Sequence, residues 1–481
     1  MKLSFVREPD LQFCDGSHVD IRAGIAQYGT LDRDIRRTSA LRVGVVATPQ
    51  TQGPLREWLQ RCSAGLASNE NRLVDLRPSF PGMTDATFGS RFELNENNIR
   101  CPTKRDLEEA FASADPLTAL LEMFLAHARD LATRGGLDVL VIAPSVEMFA
   151  LGDPLPIGAA RPQTDAQPLD EGEDKPDTKY RRCFHDLFKA QALRFRVPCQ
   201  FIRPDTYGGG KTKRGRGPRR LQDEATRAWN FFTALYYKAG AVPWRLVRDQ
   251  AALTSCYVGV SFFKTTDGER VLASVAQIFD ERGEGLVVLG GRARIDSEDR
   301  SPHLTGEDTA RLLEDTLDAY KREHRTLPAR LVVHKTSVFD GDEFAGAQSV
   351  MDSYGVQTLD LLSIRRSGIR LFRDATYPVL RGTSLAFDES TGLVYLRGSV
   401  PQFRTYPGMY VPSSLEYKLA YGEMTAKQIA KELVSLSKLN FNSTQFDCGE
   451  PVTVRAARQV GDILKHVGPD EEVNLGFRFF T

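Results

Sequence analysis

Two continuous apolar runs, LRVGVVATP (41–49) and LDVLVIAPS (137–145), constrain this chain more than any other feature. Neither alternates between apolar and polar, so each reads as a strand buried on both faces, as in parallel sheets covered by helices. Between them, ADPLTALLEMFLAHARDLATRGG (114–136) repeats its apolar residues at helical spacing and ends in glycines, a normal helix stop. Strand, helix and strand at this spacing predict a parallel α/β sheet.

The rhythm changes after AVPWRL (241–246), which reads as a domain junction. Three strands follow one another: SCYVGVSFFK (255–264), RVLASVAQIFD (270–280) and EGLVVLGGRARI (284–295). Then come a helix (306–324), the strand ARLVVHKTSVF (329–339), a helix (342–355) and the strand VQTLDLLSIRR (356–366). Three consecutive strands and then alternating helix and strand are the order of an RNase H-like domain. A length of 481 residues is too great for one ordinary core and fits two or three domains.

Charge and cysteine content narrow the functional classes. The 63 basic and 63 acidic residues give zero net charge, which counts mildly against a nucleic-acid-binding protein. The charge is uneven, however. DEGEDKPDTK (170–179) is acidic and KTKRGRGPRR (211–220) is strongly basic, so a neutral total can hide a basic groove. The seven cysteines lack CxxC or Cys/His spacing, which fits a reducing compartment and argues against a structural zinc or a redox pair. No apolar run is long enough for a bilayer and no signal-peptide pattern opens the chain, so a cytoplasmic protein with no membrane partner is expected. The Pro-, Gly- and acid-rich stretch 151–177 reads as an exposed insertion, and 208–220 as a mobile basic loop.

Several residues could carry chemistry, each with an ordinary alternative. GGGKTK invites a phosphate-loop reading, but the glycine required five positions before Gly210 is Asp205, and no helix starts at once. That argues against a P-loop NTPase. Six cations among glycines are equally a backbone-contacting loop or a solvated one. His185 and Lys189 stand i,i+4 apart and share a helix face. Taken alone, they could be polar residues on the outer side of an amphipathic helix. Gln200 follows in a short strand, and Lys238 closes the aromatic-rich helix ALYYKAG, where the helix dipole favours a cation. Asn440 and Asn442 could be turn formers.

The order of the motifs changes this weighing. EPDLQFCDGSHVDIRAGIAQYGTLD (8–32), FHDLFKAQAL (184–193), ALYYKAGAVPWRL (234–246), YVGVSFF (257–263), YPVLRGTSLAF (377–387) and LNFNSTQFDCGEPVTVRAARQVGDILK (439–465) occur in that sequence. Together they resemble a short prokaryotic Argonaute, and the resemblance covers nearly the whole chain. It implies a Rossmann-like MID domain over 1–240, with insertions at 151–177 and 208–220. An RNase H-like PIWI domain over 241–481 would follow, with no N or PAZ domains. In that family the MID domain holds the 5′ phosphate of a guide strand, and by position the holding residues fall on His185, Lys189, Gln200 and Lys238. The residue types agree: lysines supply charge, the Gln200 amide can donate to phosphate oxygen, and imidazole can stack on a base. Mg²⁺ commonly sits beside that phosphate. Its protein ligands here would be Asn442, the terminal carboxylate of Thr481, and Gln200, all oxygen donors of the kind the ion prefers.

The same resemblance exposes a departure. A guided nuclease needs clustered carboxylates holding two metals. One belongs at the end of a GxD arrangement, where this chain has Gly259-Val260-Ser261; another follows LVVH, where it has Lys335-Thr336-Ser337. Ser261 and Thr336 therefore occupy degenerate catalytic positions, although Glu298, Asp340 and Asp342 lie near them in sequence. The expectation is a sensor without nuclease activity of its own, loaded with a 5′-phosphorylated small RNA and directed at single-stranded DNA of plasmids or phage. It would partner an APAZ-domain effector in a heterodimer: a sirtuin-like or TIR NADase, or a nuclease. A catalytically active guide-directed nuclease is the alternative.

Overall fold

The computed structural model describes all residues except 36–38, 69–74, 155–179, 209–211, 215–216, 220–221, 248–252, 267–269, 279–284, 298–299, 375–377, 404, 407–410, 446–447 and 469–470. Glu298 and most of the expected insertion at 151–177 lie outside the described residues.

The chain opens with a strand, β1 (Lys2–Phe5). The first half then lays down β2 (Ser39–Ala47), α1 (Pro49–Ala64), β3 (Ser90–Arg100), α2 (Pro116–Arg134), β4 (Val139–Ala143), α3 (Phe184–Ala192), β5 (Cys199–Phe201) and α4 (Glu224–Lys238). β2 to β5 form one four-stranded sheet in the order β3-β2-β4-β5, with every neighbouring pair parallel. The two apolar runs are its centre. Val43 lies opposite Val139, and all five residues of β4 are buried. The loop ahead of α1 ends in Thr48, whose side chain forms a reciprocal capping box with Thr51 and stops the strand in favour of the helix.

The second half supplies β6 (Ser255–Lys264), β7 (Val271–Ile278), β8 (Gly285–Ile295), β9 (Pro302–His303), α5 (Gly306–His324), β10 (Arg330–Lys335), α6 (Gly341–Tyr354) and β11 (Thr358–Arg366). β12 (Thr383–Ala386), β13 (Thr391–Val394), β14 (Leu415–Tyr421), α7 (Ala426–Leu436), α8 (Val452–Leu464) and α9 (Phe477–Phe480) complete it. These strands build a ten-stranded mixed sheet in the order β1-β12-β13-β14-β11-β10-β6-β7-β8-β9. β6, β7 and β8 pair antiparallel, while β10 and β11 join parallel on the other side of β6. That is the strand order expected of an RNase H-like unit. α5 and α6 cover one face of its centre around Val258, Val260, Leu331 and Val333. α8 covers the other so closely that a Cβ on Gly259 would stand 2.0 Å from the Thr453 carbonyl oxygen. The glycine of the GxD-like stretch is therefore required by this backbone approach.

Three local findings differ from the sequence reading. β1 does not join the first sheet but pairs antiparallel with β12, Lys2 facing Ala386. The two-residue strand Leu11–Gln12 likewise pairs with Arg245–Leu246 across the expected junction. Four residues of weak alternation carry no information about which sheet they will complete. Within the expected basic loop, Thr212–Arg214 and Gly217–Arg219 form a short antiparallel hairpin.

One core cluster runs through both halves. It includes Trp58 and Trp229 beside the first sheet, together with Phe441, Val460, Phe477 and Phe480 from the end of the chain. All seven cysteines are free thiols. Among the described residues, no helix is long and apolar enough to cross a membrane.

Candidate phosphate-binding pocket

The pocket is built from four segments far apart in sequence. α3 directly follows a short strand, Tyr180–Cys183, which pairs antiparallel with Gly152–Pro154. Its Lys189 is only 2% exposed, so it is not on the outer side of the helix. The Lys189 ammonium donates to the Cys199 carbonyl at 2.8 Å and also to the main-chain oxygen of Thr481. Burial pushes its pKa down, with opposing help from Cys199 and Asp186.

α4 starts at Asp223, whose carboxylate accepts from the Ala225 N–H, and nearly its whole length is buried. It delivers Lys238, 1% exposed, to the same place. The Lys238 ammonium donates to Asn442 Oδ1 at 3.2 Å and to Thr481 Oγ1 at 3.1 Å. The NFN segment is held by its aromatic residue: Phe441 lies 4.7 Å from the Tyr237 ring and 5.0 Å from the Trp244 ring. The Asn440 side chain accepts from the Asn442 N–H at 3.2 Å, a local turn that orients the second asparagine.

Thr481 arrives along a fixed path. The Asn474 N–H donates to the Leu193 carbonyl just past α3, and the Val287 N–H on β8 donates to the Leu475 carbonyl. Phe477, Phe479 and Phe480 are then buried, leaving Thr481 between the two lysines.

Gln200 stands on β5 one residue beyond the carbonyl that receives Lys189. Its amide nitrogen donates to the Phe201 carbonyl at 2.8 Å. Its Oε1 is buried with no hydrogen-bond partner. An orphaned buried acceptor normally costs about 1–3 kcal/mol, so the atom is poised for a donor or a cation. Gln200, Asn442 and Thr481 each carry side-chain or main-chain oxygen, the donor type that hard divalent ions prefer. Here two of the three already accept from lysine.

His185 sits at the rim, its side chain 40% exposed. The ring meets Phe201 edge-on at 4.6 Å. Its Nδ1 is 2.9 Å from Asp186 Oδ1. Asp186 also faces Lys465 at 3.8 Å. Burial alone would raise the Asp186 pKa, but the His185 hydrogen bond and the His185 and Lys465 charges outweigh it and hold the carboxyl well below its ordinary range. Asp186, Phe201 and Lys465 are the neighbours that sequence reasoning did not single out. The first is adjacent to His185, and the last closes the stretch 439–465.

The two degenerate positions come together elsewhere. Val260 lies opposite Lys335, and the Thr336 N–H donates to the Val260 carbonyl at 3.1 Å. Ser261 and Thr336 therefore stand side by side, Ser261 within β6 and Thr336 one residue past the end of the parallel β10. Ser261 shares the α8 face with Gly259, and Thr336 continues the face of His334, whose ring bonds Thr453. Asp340 and Asp342 do not fill these positions. Asp340 caps α6, and both carboxylates pair with Arg294, at 2.6 and 3.1 Å.

A four-stranded parallel unit, an RNase H-ordered sheet and a lysine-lined pocket between them define an Argonaute-like MID–PIWI fold of mixed α/β class. Three solved structures are similar over essentially the whole chain. Clostridium butyricum Argonaute, bound to a guide DNA and a 19-mer target DNA, matches with a TM-score of 0.66 at 13% identity, covering 99% of this chain and 54% of its own. Drosophila Piwi matches at 0.63 and 13% identity, covering 99% and 56%. Aa-Ago with externally bound siRNA matches at 0.60 and 15% identity, covering 100% and 56%. The chain thus spans a little over half the length of these structures. No protein-family model and no curated protein sequence matches it.

Proposed function

We propose that this chain binds a nucleic-acid guide by its 5′ phosphate and uses it to recognise a complementary strand, without cutting that strand. The observation that carries the reading is the convergence of Lys189 and Lys238, two buried ammonium groups, on the oxygens of Asn442 and Thr481, with the unpartnered Gln200 Oε1 nearby in sequence on β5. Two buried ammonium groups side by side are charge-assisted donors of the kind a terminal phosphate suits. His185, half exposed on Phe201, offers a ring on which the first base can stack.

Mg²⁺ belongs to this reading as an ion held by Gln200, Asn442 and Thr481. When bound, it would supply positive charge beside the phosphate. The chain's own residues bind and orient the guide end, and base pairing by the guide supplies sequence choice.

The finer reading is a prokaryotic defence sensor, loaded with small RNA, directed at single-stranded invader DNA and partnered by an APAZ-domain effector. Support for the absence of cleavage is the pair Ser261 and Thr336, backbone neighbours on adjacent strands that carry hydroxyls at positions where the resemblance to a guided nuclease calls for carboxylates. The test is capture of a labelled DNA strand by the purified chain preloaded with RNA guides. Capture should require both complementarity and a guide 5′ phosphate. Equal capture by unrelated or 5′-hydroxyl guides would overturn the reading.

A further inference from the structure

On the opposite side of the large sheet from Ser261 and Thr336 lies a second charged cluster. Lys335 points away from α8 towards α5 and α6, where it lines a small void with Val260, Val333, Thr309 and Glu343. Its ammonium stands 2.5 Å from both Glu343 carboxylate oxygens. His303 Nδ1 lies 3.2 Å from Glu343 Oε2 and 3.5 Å from Asp340 Oδ2. His303, Lys335 and Glu343 are each no more than 2% exposed.

These separations have a specific chemical meaning. A tetrahedral ion with donor bonds of about 2.0–2.1 Å places its ligand atoms about 3.3–3.4 Å from one another. One imidazole and two carboxylates at 3.2 and 3.5 Å are already spaced as such a set, with all three donor atoms within 4.8 Å of one another. The carboxylates are held in place independently. The Leu304 and Asp340 N–H groups donate to Glu343, and the Glu343 N–H donates to Asp340. A separate feature points to a small ligand. The Thr309 hydroxyl, 7% exposed, has no hydrogen-bond partner and lines the void. The void measures about 20 Å³, room for one water.

We propose that this is a transition-metal-type site whose resident cation is the chain's own Lys335, and that removing the ammonium opens it to one divalent ion. The inference is independent of the guide-binding reading. Lys335 faces Glu343 while Arg294 is shared by Asp340 and Asp342, so two cations face three carboxylates. Without Lys335, a buried carboxylate loses its counter-charge, and a metal replaces it. The mixed nitrogen and oxygen set selects Zn²⁺ or Co²⁺ over Mg²⁺, which demands octahedral oxygen ligands.

The experiment compares the parent chain with Lys335→Met by isothermal titration with Zn²⁺, by Co²⁺ visible absorption, and by thermal melting with and without Zn²⁺. The variant should bind one Zn²⁺ per chain about a hundredfold more tightly than the parent, the weight of one buried charge pair. It should also melt higher with Zn²⁺ and show tetrahedral Co²⁺ bands. Adding His303→Ala to the variant should abolish all three effects. A variant that folds only when Zn²⁺ is supplied would support the proposal equally. Equal binding by parent and variant, binding by neither, or a variant unfolded with and without Zn²⁺ would overturn it.

Discussion

Lys238 and Thr481 stand 243 residues apart in sequence, yet the lysine ammonium donates to the threonine hydroxyl across 3.1 Å. The candidate pocket therefore takes shape only when the closing helix of the first half meets the last residue of the second. Lys189 reaches the same residue through its main-chain oxygen.

Removing either cation should strip the pocket of its preference for phosphate. Lys189→Met and Lys238→Met should each weaken 5′-phosphorylated guides by about 1.5–3 kcal/mol, roughly 10- to 150-fold, while barely affecting 5′-hydroxyl guides. Competition binding with matched guide pairs measures this. Equal losses for both guide types would place the pocket elsewhere.

The oxygen donors give a metal-dependent prediction. Asn442→Ala, or residues appended after Thr481, should lower phosphate-dependent affinity by about tenfold, the scale of one lost charge-assisted contact. A chelator should do the same to the parent and add little in the variants. A fully additive chelator effect would mean that these residues and the ion act at different places.

The paired hydroxyls predict inertness. Guide-loaded protein incubated with an end-labelled complementary strand and Mg²⁺ or Mn²⁺ should leave that strand intact, because hydroxyls at Ser261 and Thr336 cannot assemble a two-metal centre. Ser261→Asp with Thr336→Asp should also fail to cut, since the supporting residues must be placed as well. Cleavage by the parent at one fixed phosphate would establish the nuclease alternative.

Acid should weaken the fold through His466. Burial, with the Lys465 charge adding to it, lowers this imidazole from its ordinary 6.5 to about 4, and its Nε2 has no hydrogen-bond partner. Between those values the unfolded chain binds more protons than the native one, so falling pH favours unfolding. Stability from this group should be complete above about pH 6.5 and decline as pH falls towards 4. His466→Gln should flatten that part of the melting-temperature profile. An unchanged profile would exclude His466 as the group responsible.

Gly259→Ala tests the close approach of α8. The added methyl carbon would stand 2.0 Å from the Thr453 carbonyl oxygen, and backbone on both sides has to move. Overpacking of this kind costs about 1–3 kcal/mol, so a lower midpoint in chemical denaturation is expected. Parent-like stability would show that the helix yields freely.

Periodicity made the centre of each sheet legible, and less so the edges. β4, with five consecutive buried residues, and the succession β6 to β8 stand where their apolar runs placed them. β3 went unread because SRFELNENNIR is largely polar, as an edge strand with solvent beside it can be. α1 was hidden by Gly53 and Pro54 near its start. In the pocket, i,i+4 spacing put His185 and Lys189 on one side of α3 but could not show that the limit of burial falls between them. The contribution of Asp186 was invisible for a related reason: its partners Lys465 and His185 meet only after α8 has packed beside α3.

The tail that ends at Thr481 also sets a timetable. During synthesis, the parallel sheet and both lysine-bearing helices leave the ribosome more than two hundred residues before the segment that ties them together. Contacts of such separation form late and slowly. Until they form, Lys189 and Lys238 lack the oxygens they share with Thr481. A chain in which the segment 474–481 has not yet packed would therefore hold the two lysines without these partners, and the pocket would be assembled last.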